Sequence, residues 1–379
     1  MSAATANVMI TTGGTGGHVF PGLAVAAKLV ARGARVFWLG TREGMEATLV
    51  PQHGVEFEAV SFRGVRGKGL RTLLLGPFAL AAACVDSVRV IRRRRPTVVL
   101  GFGGFASFPG ALMGVATARP LVLHDANAVA GLANRILAYG ADRLLLGFPD
   151  AYGGRHAAKT AWVGNPLRDA ITMLPPPDAR FAMHDGPMNL LVVGGSLGAQ
   201  ALNERVPIAL ARIAAARRPR VVHQAGAAHI ASLRTAYAAA QVEAECVPFI
   251  DDMAARYAWA DLAVCRGGAM TVAELAAVGL GAIIVPLPGA IADEQSANAK
   301  FLLDAGAAHC VAQDTLTPEH LAALIEGTTR AKALELARAA WAVGRRDAAE
   351  RVADACVELG ATGGPGDSAQ GRTFAGPRA

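Results

Sequence analysis

The chain has 379 residues, 53% of them hydrophobic, and a formal net charge of +7. That charge is concentrated between Ser61 and Arg95, where nine basic residues (Arg63, Arg66, Lys68, Arg71, Arg89, Arg92, Arg93, Arg94, Arg95) face one acid, Asp86. The remainder is close to neutral, which excludes a chain basic all over, as a non-specific nucleic-acid coater is, and predicts one patch that meets something anionic.

A charged fraction of 18% and 43 glycines fit an ordered α/β chain of about two domains. Five scattered cysteines without a C-x-x-C pair argue against a disulfide framework or a zinc site and for a reducing compartment. Met1 to Asn7 is short and polar, so no signal peptide is expected.

In chain order, Val8 to Thr11 reads as a strand, Gly13 to Gly17 as a glycine loop and Val19 to Leu29 as an apolar-periodic helix. Arg35 to Leu39 is the next strand. The apolar run between Arg71 and Asp86 leaves fourteen uncharged residues, short of the about 20 that span a bilayer. Within the same stretch Leu80, Cys84, Val88 and Ile91 have helical spacing and are expected to pack on a sheet. Thr97 to Leu100 and Pro120 to Leu123 are further strands. Gly164 to Pro187, with Asn165-Pro166 and three successive prolines from Pro175, holds the turn residues of a boundary.

The pattern then recurs. Asn189 to Val193 is a strand, Gly194-Gly195-Ser196-Leu197-Gly198 a loop and Ala199 to Ile213 a helix, followed by strands at Arg220 to His223, Leu262 to Cys265 and Gly281 to Pro286. Short apolar strands alternating with helices mean parallel sheets covered on both faces. The expected architecture is α/β, with two doubly wound Rossmann-like domains, residues 1–164 and 165–344. A C-terminal helix, 345–361, is expected to pack back on the first domain, and the Gly- and Pro-rich tail, 362–379, to be disordered.

Glycine loops between strand and helix let backbone approach phosphate at a helix N-terminus. The first loop is not G-x-G-x-x-G, and the strand ending Trp38-Leu39-Gly40-Thr41 offers no acid at its tip for a ribose, which disfavours a nicotinamide or flavin enzyme. No P-loop occurs. A better nucleotide site follows Cys265, where Arg266-Gly267-Gly268 leads into Ala269-Met270-Thr271-Val272-Ala273-Glu274. A diphosphate fits the free N–H groups near Gly268 to Thr271. Glu274 either accepts a ribose diol or complements the helix dipole. Gln295 and Asn298, three apart on a helix, suit a sugar's hydroxyls or serve ordinary capping and solvation.

These pieces stand in order with Thr12 to Gly22, Gly101 to Phe105, His124 with Asn127 to Gly131, Val163 to Arg168, Gly194 to Ala199 and Phe249 to Met253. In that set the chain resembles the GT-B nucleotide-sugar glycosyltransferases, and within them the bacterial N-acetylglucosaminyltransferases that make lipid II. Three positions depart from the family pattern: Asp125-Ala126 where Glu-Gln is usual, Gly267 where Ser or Ala is usual, and Glu294 where an amide often precedes Gln295.

The resemblance implies inverting transfer of N-acetylglucosamine from UDP-N-acetylglucosamine to the 4-hydroxyl of the muramoyl unit of undecaprenyl-linked lipid I. It implies no cofactor, and since the sequence has no D-x-D pair, no metal. His18, at a helix N-terminus that disfavours imidazolium, is the candidate base, unless it caps the loop or binds phosphate; Asp125 is a second candidate. By resemblance, Ile250 and Arg168 hold uracil, Ser196 and Ala269 to Thr271 the phosphates, Glu274 the ribose, and Gln295 with Asn298 the sugar. Thr15, Gly16, Gly17 and Asn127 line the acceptor side.

A lipid acceptor implies work at a membrane, peripherally, on the cytoplasmic face of the inner membrane. Leu70, Leu73, Leu74, Leu75 and Phe78 beside the cations of residues 61–95 suit docking on anionic lipid. The expected partners are thus the UDP-sugar, lipid I and an anionic membrane surface, with no nucleic acid. The rival readings are another UDP-sugar-dependent glycolipid transferase, a UDP-sugar epimerase and a non-catalytic nucleotide-sugar-binding subunit.

Overall fold

The computed structural model describes residues 6–14, 16–62, 70–195, 198–289 and 293–362, the side chains of 70–75 and 362 excepted. Two compact units are present, one formed by residues 1–168 with 347–379 and the other by 169–346.

The first unit runs β1 (Asn7–Thr11), α1 (Gly16–Ala31), β2 (Arg35–Thr41), α2 (Glu46–Gln52), β3 (Glu56–Val60), α3 (Leu70–Arg94), β4 (Val98–Gly101), α4 (Phe108–Ala116), β5 (Leu121–Asp125), α5 (Leu132–Leu137), β6 (Arg143–Leu146) and β7 (Thr160–Trp162). The second runs α6 (Asp169–Thr172), α7 (Pro177–Phe181), β8 (Asn189–Val193), α8 (Gln200–Arg212), β9 (Arg220–Gln224), α9 (Ile230–Ala239), β10 (Glu245–Val247), α10 (Met253–Trp259), β11 (Leu262–Cys265), α11 (Ala269–Val278), β12 (Ala282–Ile284), α12 (Glu294–Asp304), β13 (Ala308–Cys310), α13 (Pro318–Gly327) and α14 (Arg330–Val343). The last helix, α15 (Ala348–Thr362), belongs to the first unit.

The sheets share one plan. Strand order is β3-β2-β1-β4-β5-β6-β7 in one and β10-β9-β8-β11-β12-β13 in the other, and the paired strands are parallel. The order reverses between β1 and β4, and again between β8 and β11. Their outgoing loops diverge there and leave a crevice at the carboxyl ends, where open α/β sheets bind ligands. The central strands are apolar throughout because helices cover both faces: Val8, Met9, Ile10, Val98, Val99 and Leu100 are all fully buried.

Close helix-to-strand contact depends on small residues. A Cβ on Gly22 would lie 2.5 Å from the Trp38 ring, so only glycine lets α1 seat on β2. Trp38 satisfies its indole N–H on the Thr12 carbonyl at 3.1 Å. On α15, Ala349, Val352, Ala353 and Cys356 form a buried stripe of helical period against the α1 side of the first core. Lys28 of α1 and Arg32 just beyond its end pair with Glu350 and Asp354 across that contact. In the second unit the buried Arg180 donates to the carbonyls of Pro175, Tyr257, Val278 and Gly279, joining α7 to the ends of α10 and α11.

The buried stripe of α3 differs from the one its hydrophobicity predicts. Leu80, Cys84 and Val88 are only half-buried, and Ala83, Ser87, Val90 and Ile91 face inward. Ser87 can do so because its hydroxyl donates to the Ala83 carbonyl at 2.7 Å, which removes the cost of burying it. A pattern read from apolar residues alone skips such a serine.

Candidate active site

In the first unit, Thr12 to Gly14 leave β1 and Phe102 to Gly104 leave β4. His18 lies in the first turn of α1 beside them, and a Cβ on Gly104 would come within 3.4 Å of its ring. The residue keeps partial exposure, while its Nδ1 is buried with no hydrogen-bond partner among the described residues. Burial pushes the imidazole pKa below the usual histidine value, against a smaller opposing effect of the Phe102 backbone. The ring is therefore neutral at pH 7 and able to accept a proton.

His124, near the end of β5, is fully buried and bonds the Gly164 carbonyl through Nε2 at 3.0 Å. A carbonyl only accepts, so Nε2 carries the proton and Nδ1 presents a lone pair. Burial pushes this ring down to about 4, and His18 adds in the same direction. Asp125, the second candidate base, is buried and its oxygens are engaged: the Tyr152 hydroxyl donates to Oδ2 at 3.0 Å and the Asn127 N–H lies 3.4 Å from Oδ1. That geometry suits fixing the loop that carries Asn127 better than abstracting a proton.

β2 itself ends without an acid, but one reaches its tip from the next helix. Glu46, at the start of α2, folds its fully buried carboxylate back onto Thr41, accepting from the backbone N–H at 3.0 Å and from the hydroxyl at 2.6 Å. Its second oxygen accepts from Gly14 N at 3.3 Å. A Cβ at Gly13, Gly40 or Gly44 would lie 2.3, 2.7 or 2.1 Å from this side chain, so those glycines make its cradle. The carboxylate clamps the loop and does not await a ribose.

In the second unit the loop after β8 is held by Gln224 at the end of β9. Its Oε1 accepts from Gly194 N at 3.2 Å, and its Nε2 donates to the carbonyls of Gly195 and Pro248 at 3.0 and 3.2 Å. Gly198 has φ +77°, and a Cβ there would fall 1.9 Å from the Ala225 carbonyl. Ser196 lies outside the described residues, as does Thr15 of the first loop.

The turn after β11 is cationic. Arg266 is nine-tenths buried and donates to the Val285 and Pro286 carbonyls and to Gln313 Oε1, with no carboxylate partner among the described residues. Burial lowers its pKa, and the neighbouring Arg205 works in the same sense. Beyond it α11 begins at Ala269 with Gly268 as an extended N-cap and no side-chain cap, leaving the first N–H groups of Ala269, Met270 and Thr271 to a ligand or water. Val272 is buried, Ala273 half-buried. Glu274 stands in the second turn, half-buried, and accepts from the Tyr257 hydroxyl at 2.9 Å.

Gln295 and Asn298 converge on the same turn. Gln295 Oε1 accepts from Gly267 N at 3.2 Å and Leu287 N at 2.9 Å, while the buried Asn298 donates to the Gly267 carbonyl at 3.1 Å. They tie α12 to the glycine turn, a role absent from the sequence reading. A Cβ on Gly267 would lie 2.3 Å from the Gln295 carbonyl, so this departure from the family pattern accompanies a close backbone approach.

Two family models match in tandem: the glycosyltransferase family 28 N-terminal domain over residues 8–146 and the C-terminal domain over 189–352. The chain belongs to glycosyltransferase family 28. Among the family 28 relatives it resembles is the UDP-N-acetylglucosamine--N-acetylmuramyl-(pentapeptide) pyrophosphoryl-undecaprenol N-acetylglucosamine transferase of Burkholderia multivorans, 53% identical over 95% of this chain and 98% of that one. The enzyme of that name from Aromatoleum aromaticum is 54% identical over 93% and 98%. The crystal structure of Acinetobacter baumannii MurG superposes with a TM-score of 0.79 at 36% identity, covering 93% of this chain and 99% of that one.

The remaining sequence-based site residues fall as follows. Gly16 and Gly17 open α1, and Ile250 is buried just ahead of α10. Arg168 is the last residue of the first unit's long segment and lays its guanidinium over the Phe20 ring at 5.4 Å. The basic patch is smaller than its sequence count. Arg93 and Arg94 pair with Glu58, and Arg94 also with Glu56, acids of β3 just outside the window counted. Arg89 pairs with Asp86. Arg63, Arg66 and Lys68, and the side chains of Arg71, Leu70, Leu73, Leu74 and Leu75, lie outside the described residues.

Proposed function

We propose that this family 28 enzyme transfers N-acetylglucosamine from UDP-N-acetylglucosamine to the 4-hydroxyl of the muramoyl unit of lipid I, with inversion, giving lipid II. His18 takes the hydroxyl proton as the oxygen attacks the anomeric carbon from the face opposite UDP. The glycosidic bond to UDP breaks, and its diphosphate charge is taken up at the N-terminus of α11 beside Arg266. Glu274, oriented by Tyr257, accepts the ribose diol, and Ile250 with Arg168 holds uracil. Gln295 and Asn298 shape the turn against which the sugar rests, and Asn127 with Gly16 and Gly17 lines the acceptor side.

The observation that carries this reading is the contrast in charge between the two crevices: in one a neutral imidazole whose Nδ1 has no partner among the described residues, and in the other a guanidinium with no carboxylate partner among the described residues, beside a helix without a side-chain cap. Incubating the protein with UDP-N-acetylglucosamine and a short-chain lipid I analogue is expected to release UDP; no release with a competent acceptor sinks the assignment.

No helix among the described residues is long and apolar enough to cross a membrane. Docking on the cytoplasmic face of the inner membrane is assigned to α3, whose Phe78, Ala81, Ala82 and Val85 form an exposed apolar stripe, with Arg92 and Arg95 exposed at its far end. Raised salt is expected to release the protein from anionic vesicles; attachment insensitive to salt contradicts the electrostatic part.

A further inference from the structure

A cavity of roughly 670 Å³ opens at the carboxyl edge of the first sheet, beside the β1 loop and apart from His18. One side is apolar: Val60 and Phe62 at the end of β3, Ala79 of α3, and Phe105 with Ala106 after β4. Phe62 and Phe105 stack at 4.8 Å between ring centroids, and Phe105 remains half-exposed at the mouth. The other side is polar, with Gly13, Gly14, Thr41, Gly44 and Ser61, and three of its donors are committed. Thr41 N, Thr41 Oγ and Gly14 N all serve Glu46, so the loop side of the cavity offers few donors to a sugar or a peptide. Arg42 places an exposed cation among the residues that line the opening, beside Glu43, an exposed acid. Ala79 sits on α3 next to the exposed apolar stripe that begins at Phe78, so the apolar wall is continuous with that face.

We infer that this cavity is a subsite for the isoprene units of the acceptor nearest its diphosphate, the diphosphate meeting Arg42 at the rim and the hydrocarbon lying against Phe62, Phe105 and Ala79. The inference rests on the reading above that the acceptor is a polyprenyl diphosphate sugar. An aromatic-walled cavity whose loop-side donors already serve Glu46 favours hydrocarbon over the muramoyl peptide, because an amide against the apolar wall would be buried without a partner. The lipid would thus be held by its first units within the protein as well as by the bilayer.

The test uses water-soluble lipid I analogues that differ only in carrying a one-carbon cap or two isoprene units, assayed without detergent or vesicles. The wild-type enzyme is expected to prefer the prenyl analogue in kcat/KM by about tenfold, from the apolar area buried. Ala79→Leu, a good helix former that fills the cavity, is expected to reduce that preference to about twofold or less while leaving the capped analogue and the UDP-sugar KM unchanged. Ala81→Leu, on the exposed stripe, keeps the preference. Three results overturn the subsite: no preference in the wild type, a preference that survives Ala79→Leu, or an equal fall on both analogues, which places sugar or peptide in the cavity. Turnover of the capped analogue by the wild type checks the transferase reading separately.

Discussion

The two glycine loops occupy the same place in the same topology and are held by different chemistry. After β1 the loop is clamped by a buried carboxylate, Glu46; after β8 it is clamped by a neutral amide, Gln224. Around the first stand two neutral imidazoles, and in the crevice of the second a buried arginine with a second arginine nearby. A carboxylate that takes up a loop's N–H groups denies those groups to a phosphate, while an amide clamp leaves the loop without added negative charge. On the proposed reading, one fold used twice is set for a hydroxyl that must lose a proton and for a diphosphate that must gain stabilisation.

The sharpest way to break this comparison is at His18. His18→Gln is expected to lower kcat by about 10²-fold or more with UDP affinity unchanged; a parallel loss of UDP binding contradicts the division of labour. Arg266→Met comes next. It leaves Gln313 and two carbonyls without their donor and removes the charge beside α11, so UDP affinity is expected to fall about tenfold, in the range of ~1–3 kcal/mol, with the acceptor KM unaltered. Calorimetry on both variants separates the two outcomes.

Acid stability tests the neutral histidines. Burial lowers the folded pKa values of His124 and His223 to about 4 and about 3, from the ordinary histidine value of about 6.5. The unfolded chain binds these protons first, so their stability contribution is complete above pH 6.5 and is lost as pH falls through those folded values. Denaturant midpoints are expected to decline progressively below pH 6.5, and His223→Asn to flatten the decline between pH 5 and 3. A midpoint independent of pH down to 4 contradicts buried neutral rings. The smallest effect is expected from Tyr257→Phe, which removes one hydrogen bond to Glu274: a rise in UDP-sugar KM of about two- to tenfold with kcat kept.

The sheets, their parallel sense and the glycine turns were legible because strand hydrophobicity and glycine spacing are local signals. The clamps were not. Glu46 lies beyond the strand tip it serves and returns to it through α2, so inspection of Thr41 and its neighbours finds no acid. Tyr257 reaches Glu274 from another helix, and Gln295 bonds a turn 28 residues earlier. The partial neutralisation of the arginines of α3 came from Glu56 and Glu58 on an adjoining strand, which a window beginning at Ser61 omits. Net charge counted along a chain misses pairing across a sheet.

The most direct test exchanges the clamps and titrates UDP by calorimetry against Gln224→Glu and Glu46→Gln. Placing a carboxylate beneath the second loop is expected to weaken UDP binding by about tenfold or more, and removing one from beneath the first to leave it unchanged. Unchanged affinity in Gln224→Glu, or an equal loss in both variants, contradicts the account.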